Sequence, residues 1–289
     1  MEEMNSEIIN KLFEVLPTVK DLHSTQTPLY GLLKETTLKE IKNLFQNENP
    51  GAGVKMGSFG NLKFPYRKMG AIDSLDLFGL DELIIFSFYW ANKDRYKKAV
   101  DIGANIGLHS LMLSKCGYKV TAYEPDPKHL DWLQQNITLN DCSQVTPVQA
   151  AVSKEPGELE FVRVLGNTTG SHLAGAKDNP YGDLERFPVK VESIKDIIKD
   201  ADLLKVDAEG HETEILLATT AEDWKTTDAM LEVGTEKNAK ILYDFFTGLG
   251  VNLFSQKCGW KKVEKLEDVP TGYKEGSLFI STKSEMPWN

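Results

Sequence analysis

The residues whose types and spacing could do chemistry fall into two groups. The first runs through VDIGANIGLHS and on to VTAYEP: Gly103 and Gly107, then Glu124, 23 residues after Asp101. Glycines at a turn let the backbone take unusual φ/ψ and approach a ligand closely. A helix starting at Gly107 offers N–H groups to polar ligand atoms, and an acid ending the next strand can accept two hydrogen bonds from a ribose diol. The second group follows the apolar run LLKV: Asp207, Glu209 and His211, with Glu232 in MLEV next door. Three carboxylates and a histidine at neighbouring strand ends are costly to bring together without a cation or a polar substrate. Two chemistries remain open. Asp207 and Glu232 could hold a divalent cation, magnesium or manganese, that lowers the pKa of a substrate hydroxyl. Alternatively, Asp207 or His211 acts as a metal-free general base. Glu209 and Glu212 also suit the first turn of a helix, where the dipole favours acids. His172, in NTTGSHLAG, sits in a polar loop whose Asn, Thr, Ser and His groups suit hydroxyl recognition. His109 is read as ligand-side or structural.

The elements that must position these residues alternate as in an α/β protein. The apolar run ending at Asp101 reads as a buried strand, and Leu108, Leu111 and Met112 recur at helical spacing after it. Val120 to Tyr123 is the second strand. Asp126 and Pro127 cap the helix after Glu124, with Leu130, Leu133 and Ile137 on its buried face. Val145 to Gln149 is the third strand. An excursion of two strands, 159–165 and 189–191, flanks the polar loop 166–188. Leu203 to Asp207 is the fourth core strand, followed by a helix over 211–218, and Ala229 to Val233 is the fifth. Ile241, Leu242, Phe245, Phe246 and Leu249 mark a helix stopped by Gly248 and Gly250. Strands at 251–255 and 277–282 close the chain as a hairpin, with no helical pattern between them. The fold class is thus α/β: a doubly wound, mostly parallel sheet with one antiparallel C-terminal strand.

Residues 1–70 read as a mainly helical N-terminal extension of unknown role, and residues 71–289 as the main domain. Ile8, Ile9, Leu12, Phe13, Val15 and Leu16 form one helix face, and Thr37 with Glu40 suggests a capping box for a helix carrying Leu38, Ile41, Leu44 and Phe45. The glycine-rich stretch 49–61 is a loop or hairpin joining the two parts, and it lacks the lysine of a phosphate-binding loop. Asp81 to Lys93 reads as a helix just ahead of the first strand.

The 289 residues carry a net charge of −10, and 41% are hydrophobic, enough for a sizeable core. The acidic balance argues against non-specific nucleic-acid binding, which needs a basic footprint. Cys116, Cys142 and Cys258 show no metal-ligand spacing and suit reduced thiols in the cytoplasm. The N-terminus lacks the basic-then-apolar order of a signal peptide, and no apolar run approaches the ~20 residues of a membrane span. The sequence does not indicate an oligomeric state.

The spacing from Asp101 is D-x-G-x-x-x-G rather than the dinucleotide pattern G-x-G-x-x-G, and it resembles the first motif of class I S-adenosylmethionine-dependent methyltransferases. With AVSKEPGELEFV (151–162), VKVESIKDII (189–198), LLKVDAEGHETEIL (203–216) and MLEV (230–233), the chain resembles the FkbM family of such enzymes over roughly residues 80–282. That resemblance implies a Rossmann-like fold and O-methylation of a hydroxyl on a sugar, glycan or small metabolite. It also implies that Asp101, Gly103, Asn105 and Gly107 face the methionine part of the cofactor, Glu124 its ribose, and Ala150 and Ala151 its adenine. The acceptor side then falls to Asp207, Glu209, His211 and Glu232, with His172 above them. The competing readings are an amine, protein or nucleic-acid acceptor for the same donor, and a nicotinamide-dependent oxidoreductase. The sequence Asp-Ala-Glu-Gly after the fourth strand disfavours an amino-base methyltransferase.

Overall fold

A computed structural model of the chain describes residues 4–45, 53–177 and 182–288. Positions 1–3, 49–52 and 178–181, on which the N-terminal reading, the glycine-rich joint and the polar loop partly fall, lie outside the described residues.

The N-terminal part holds helices α1 (Glu7–Val15) and α2 (Pro28–Phe45). Ser6 caps α1 by accepting from the Ile9 amide at 3.2 Å, and its hydroxyl donates to Glu40 at 2.8 Å. Glu40 therefore serves a neighbouring helix rather than a capping box with Thr37, which is buried inside α2. Helix α2 begins nine residues earlier than Thr37, at Pro28, where Thr27 Oγ1 accepts from the Tyr30 amide. On α1, Ile9, Leu12 and Phe13 are buried, as is Leu16 just beyond it, whereas Ile8 and Val15 are exposed. The short strands Val54–Lys55 and Asn61–Leu62 pair as the expected hairpin, and Met4–Asn5 joins them in parallel.

Helix α3 (Leu80–Ala91) leads into the alternating part. There β1 (Lys98–Ile102), α4 (Leu108–Lys115), β2 (Lys119–Tyr123), α5 (Pro127–Leu139) and β3 (Val145–Val148) follow in turn. Asp126 caps α5 as its sequence foretold, accepting from the Lys128 amide at 2.8 Å. The excursion is larger than two strands. It comprises β4 (Ala151–Ser153), β5 (Gly157–Val164), β6 (His172–Leu173) and β7 (Leu184–Ser193), which make a second sheet in the order β4-β7-β5-β6. The main sheet resumes with β8 (Leu203–Val206), α6 (Glu212–Leu216), β9 (Asp228–Leu231), α7 (Glu236–Leu249), β10 (Asn252–Ser255), β11 (Lys261–Lys262) and β12 (Leu278–Ser281). Helix α7 runs through Gly248 and ends only at Gly250, whose φ of 69° closes it in the left-handed conformation.

The main sheet has the order β11-β10-β12-β9-β8-β1-β2-β3. Strands β9, β8, β1, β2 and β3 are mutually parallel, and β12 runs antiparallel between β9 and β10. This is the doubly wound sheet with a C-terminal antiparallel strand that the sequence predicts. Side chains alternate between two cores. Val100, Ile102, Leu204, Val206 and Leu231 face the layer holding α6 and α7. Ala99, Leu203, Met230 and Phe279 face α3, α4 and the N-terminal helices, whose apolar residues belong to the same buried cluster. Asp101 and Lys205, adjacent in register on β1 and β8, alternate with these residues along their strands.

The N-terminal part is also tied to the chain's other end. Buried His23 accepts from Trp260 Nε1 at 2.9 Å through Nδ1 and lies 2.9 Å from the Leu16 carbonyl through Nε2, which fixes the Nε2–H tautomer. Its ring meets Trp288 edge-on at 5.2 Å. Burial holds His23 down at about 4. Below its ordinary pKa near 6.5 the unfolded chain takes up a proton that the folded chain refuses. Stability should therefore fall as the pH drops from about 6.5 to 4, with a slope near 1.4 kcal/mol per pH unit from this site. Thermal melts across that range, compared with His23→Gln, check it. The variant keeps a donor and an acceptor and should melt lower at pH 7 but with a shallower acid slope; an unchanged slope would remove His23 as the cause.

Candidate active site

The strand order reverses between β1 and β8, where open α/β sheets form a crevice beyond the carboxyl ends of the strands. Backbone hydrogen bonds extend the sheet by one residue there: Asp207 donates to Ile102, Glu232 to Val206 and Glu124 to Val148, at 3.0, 3.2 and 3.1 Å. Three acids thus mark one edge.

The glycine turn is built by close approach. Gly103 has φ 76°, and a Cβ there would lie 1.8 Å from the Asp207 carbonyl oxygen. Gly107 has φ 91°, and its Cβ would meet Leu133 of α5 at 2.2 Å. Asn105 takes a φ of 52°, a conformation that asparagine tolerates better than most residues. Asn136, buried in α5, donates to the Ile106 carbonyl at 2.8 Å and fastens the turn from behind.

A cavity of about 630 Å³ opens over this turn. Of the residues expected around a cofactor, Gly103, Asn105, Glu124, Ala150 and Ala151 line it. Asp101 and Gly107 do not. Asp101 is fully buried and accepts from Ser110 of α4 at 2.6 Å, while Gly107 acts through the shape of the turn. Of the residues expected on the acceptor side, Asp207, Glu209, His211 and His172 line the same cavity, and Glu232 does not. His172 is buried, not in an open loop: it lies on β6 paired with Val162, beside Thr168, Thr169 and Ser171 on the cavity wall.

Glu124 Oε2 accepts from the Asn105 amide at 2.7 Å and Oε1 from the Asp126 amide at 2.8 Å. Burial outweighs these two bonds and raises its carboxyl to about 8. Each oxygen retains a lone pair for a further donor. Asn105 Oδ1, buried at the cavity, has no hydrogen-bond partner. A carboxylate with spare acceptor capacity, an orphaned amide oxygen and glycines that bring backbone close are what an adenosyl donor's diol and polar end require, so the residues fit S-adenosylmethionine.

The acid turn is held just as firmly. Glu212 Oε1 accepts from the Ala208 and Gly210 amides at 2.9 and 3.0 Å, so this acid is structural. Glu209, at φ 52°, pairs with Lys177 at 2.5 Å, and burial followed by the Asp207 charge raises its carboxyl. His211 Nε2 lies 2.8 Å from Ser153 Oγ, and burial lowers its pKa. Asp207 Oδ2 accepts from Lys205 at 3.1 Å. Among the described residues no group of three or more His, Cys, Asp and Glu side chains gathers to hold a metal. The expected Asp207–Glu232 cation site is not supported by such a group, and the Lys205 ammonium stands 3.1 Å from Asp207.

Sequence reasoning missed Lys205, His129 and Glu82. Lys205 had a signal, a lone charge inside an apolar strand opposite Asp101. His129 Nε2 meets Thr168 Oγ1 at 2.9 Å on the cavity wall, and nothing in its spacing announced it. Glu82 lies 2.6 Å from His109 Nε2, which places His109 between α3 and α4 rather than at the cavity.

Residues 101–259 match the methyltransferase FkbM domain. The chain belongs to the FkbM methyltransferase family. The family's members depend on S-adenosylmethionine. Methyltransferase sdnD of Sordaria araneosa is 31% identical over 162 residues, 44% of this chain and 61% of that protein. The hexuronic acid methyltransferase AglP of Haloferax volcanii is 27% identical over 125 residues, 42% of this chain and 48% of its own length. The matched segment thus spans about half to three fifths of these relatives. Among solved structures, a precorrin-6y C5,15-methyltransferase from Geobacter metallireducens aligns with 66% of this chain and 82% of its own, at 16% identity and a TM-score of 0.36.

Two outcomes test this geometry. Gly103→Ala should cost ~1–3 kcal/mol from its positive φ alone, and more from the collision with the Asp207 carbonyl; chemical denaturation measures it, and a variant as stable as the parent would contradict the close approach. Donor affinity should rise between pH 6 and 8 as Glu124 ionises and becomes a better acceptor for the ribose. Calorimetry with S-adenosylhomocysteine should show that rise in the parent and lose it in Glu124→Gln.

Proposed function

We propose that this chain transfers the methyl group of S-adenosylmethionine to a hydroxyl oxygen of a sugar, glycan or small metabolite. The observation that carries the reading is the meeting of the Gly103 turn with the Asp207 carbonyl, which sets a donor-shaped cavity against a strand-end acid. The bound donor supplies an activated methyl group on a sulfonium. What the chain must add is alignment and a route for the hydroxyl proton. Glu124 and the glycine turn fix the adenosyl end. Ala150 and Ala151 give the cavity wall small apolar side chains suited to a base, and His129 and Thr168 line the same cavity. Asp207, held by Lys205, is the strand-end acid on the wall of that cavity. The named specificity of AglP for a hexuronic acid supports a sugar-like acceptor here.

We place the protein in the cytoplasm on the strength of its three free cysteines. Among the described residues no helix is long and apolar enough to cross a membrane. No partner beyond a small-molecule or glycan acceptor is part of the proposal.

The deciding experiment incubates the protein with methyl-labelled donor and a panel of glycans, nucleotide-sugars and hydroxylated metabolites, alongside amines and proteins. Label should appear as an ether on a hydroxylated acceptor. Asp207→Asn should then bind the donor normally and turn over ~100-fold more slowly. Label on nitrogen, or tighter calorimetric binding of a nicotinamide dinucleotide than of S-adenosylhomocysteine, would sink the proposal.

A further inference from the structure

Asp207 is a wall of two cavities. One is the space beside Glu124 and Asn105. The other is smaller and is lined by Glu82, Ile85, Lys205, Met230, Glu232 and Ser277. Helix α3, β8, β9 and the residue before β12 therefore border a second pocket that shares Asp207 with the donor space.

Its charged groups are not equally engaged. Lys205 gives its ammonium to Asp207 at 3.1 Å and stands 4.0 Å from Asp101. Glu82 is bound to His109 at 2.6 Å. Among the described residues, none donates a hydrogen bond to the Glu232 carboxylate. That carboxylate ends β9 with its backbone fixed to Val206 and lines the pocket from the strand edge. We propose that this second cavity seats the methyl acceptor, that Glu232 takes the acceptor's proton, and that the pocket selects a hydroxyl with no negative charge beside it. The inference rests on the methyl-transfer reading above and adds where the acceptor sits and which acceptors are refused.

The chemistry balances with these groups alone. The acceptor O–H bond breaks and its proton passes to the Glu232 carboxylate. The oxygen forms a bond to the donor methyl while the sulfur–methyl bond breaks and its electron pair returns to sulfur. A sulfonium and a carboxylate become a neutral thioether and a carboxylic acid, and the acceptor becomes an ether. Burial, followed by the charges of Asp207, Glu82 and Glu209, raises the Glu232 carboxyl well above its usual range, so once ionised it holds an accepted proton more firmly than an ordinary carboxylate. Lys205 is a positioning residue: it holds the Asp207 carboxylate at the place where the two spaces meet.

Selectivity follows from the lining. Three carboxyl groups share the pocket with one ammonium that is already paired with Asp207, so a carboxylate next to the reacting hydroxyl would meet acidic surroundings with no free cation among the lining groups. This separates the chain from AglP, whose name specifies an acidic sugar.

The test uses the whole protein saturated with S-adenosylhomocysteine and saturation-transfer NMR with the methyl glycosides of glucose, galactose and mannose, set against methyl glucuronide. At least one neutral glycoside should bind 10-fold or more tightly than the glucuronide. In Glu232→Gln the glucuronide should come within about threefold of the neutral probe, with the calorimetric affinity for S-adenosylhomocysteine unchanged. Equal or tighter binding of the glucuronide, binding of no neutral glycoside, or a tenfold loss of S-adenosylhomocysteine affinity in Glu232→Gln would overturn the inference. The last of these would assign the small cavity to the donor's amino-acid end. Failure of the parent to bind S-adenosylhomocysteine would instead break the underlying methyl-transfer reading. The comparison of glycosides on the parent protein decides the matter even if the variant does not fold.

Discussion

The contact on which the site depends is between two backbones: the Gly103 turn and the Asp207 carbonyl. Each turn follows a strand, and the strands are neighbours, so the turns must share one narrow space at the sheet edge. Only a residue without a Cβ lets them come this close. From that contact the rest is nearly forced. The glycine turn ends up beside the acid turn, Glu124 reaches back to hold Asn105 from one side, and Glu212 holds Ala208 and Gly210 from the other. Both turns are therefore clamped by carboxylates that accept backbone N–H groups, which leaves little freedom for the reacting distance to drift.

The face of the sheet turned toward α3 and α4 carries a buried ion pair where apolar residues would fold as well. Replacing a buried ion pair by well-packed hydrophobic groups is often neutral or stabilising. Asp101 retains an oxygen with no hydrogen-bond partner, so the arrangement is not optimised for stability. Its geometry makes sense as a support: Lys205 stands behind Asp207 and sets the orientation of a side chain that lines both cavities.

Much of this was legible in the sequence. The succession of strands and helices, the capped helix after Glu124 and the antiparallel strand near the C-terminus follow from periodicity and turn residues that act locally. So did the gathering of Gly103, Asn105, Glu124, Ala150 and Asp207 around one cavity, because strand-end residues of a parallel sheet share an edge. What escaped the sequence depended on distant partners. His172 reads as a loop residue because β6 is only two residues long and exists by pairing with β5. Thr37 and Glu40 have the spacing of a cap, yet Glu40 is claimed by Ser6, 34 residues away. Gly248 looks like a stop, but the helix runs on to Leu249 and is capped by Gly250. The division of the second acidic group between two cavities could not be read either, since spacing along a strand does not reveal which side of a neighbouring carboxylate a cavity opens on.

The staple between the chain's ends has a consequence for the order in which this protein is made. Ser24 donates to the Lys257 carbonyl, Gln256 bonds both the His23 carbonyl and Asp81, and Trp260 and Trp288 pack around His23. The first helices leave the ribosome more than two hundred residues before those partners do. During that interval Leu16 and Tyr30 have no completed core to enter. The segment around His23 must therefore wait for the segment after residue 255 before its native contacts can close.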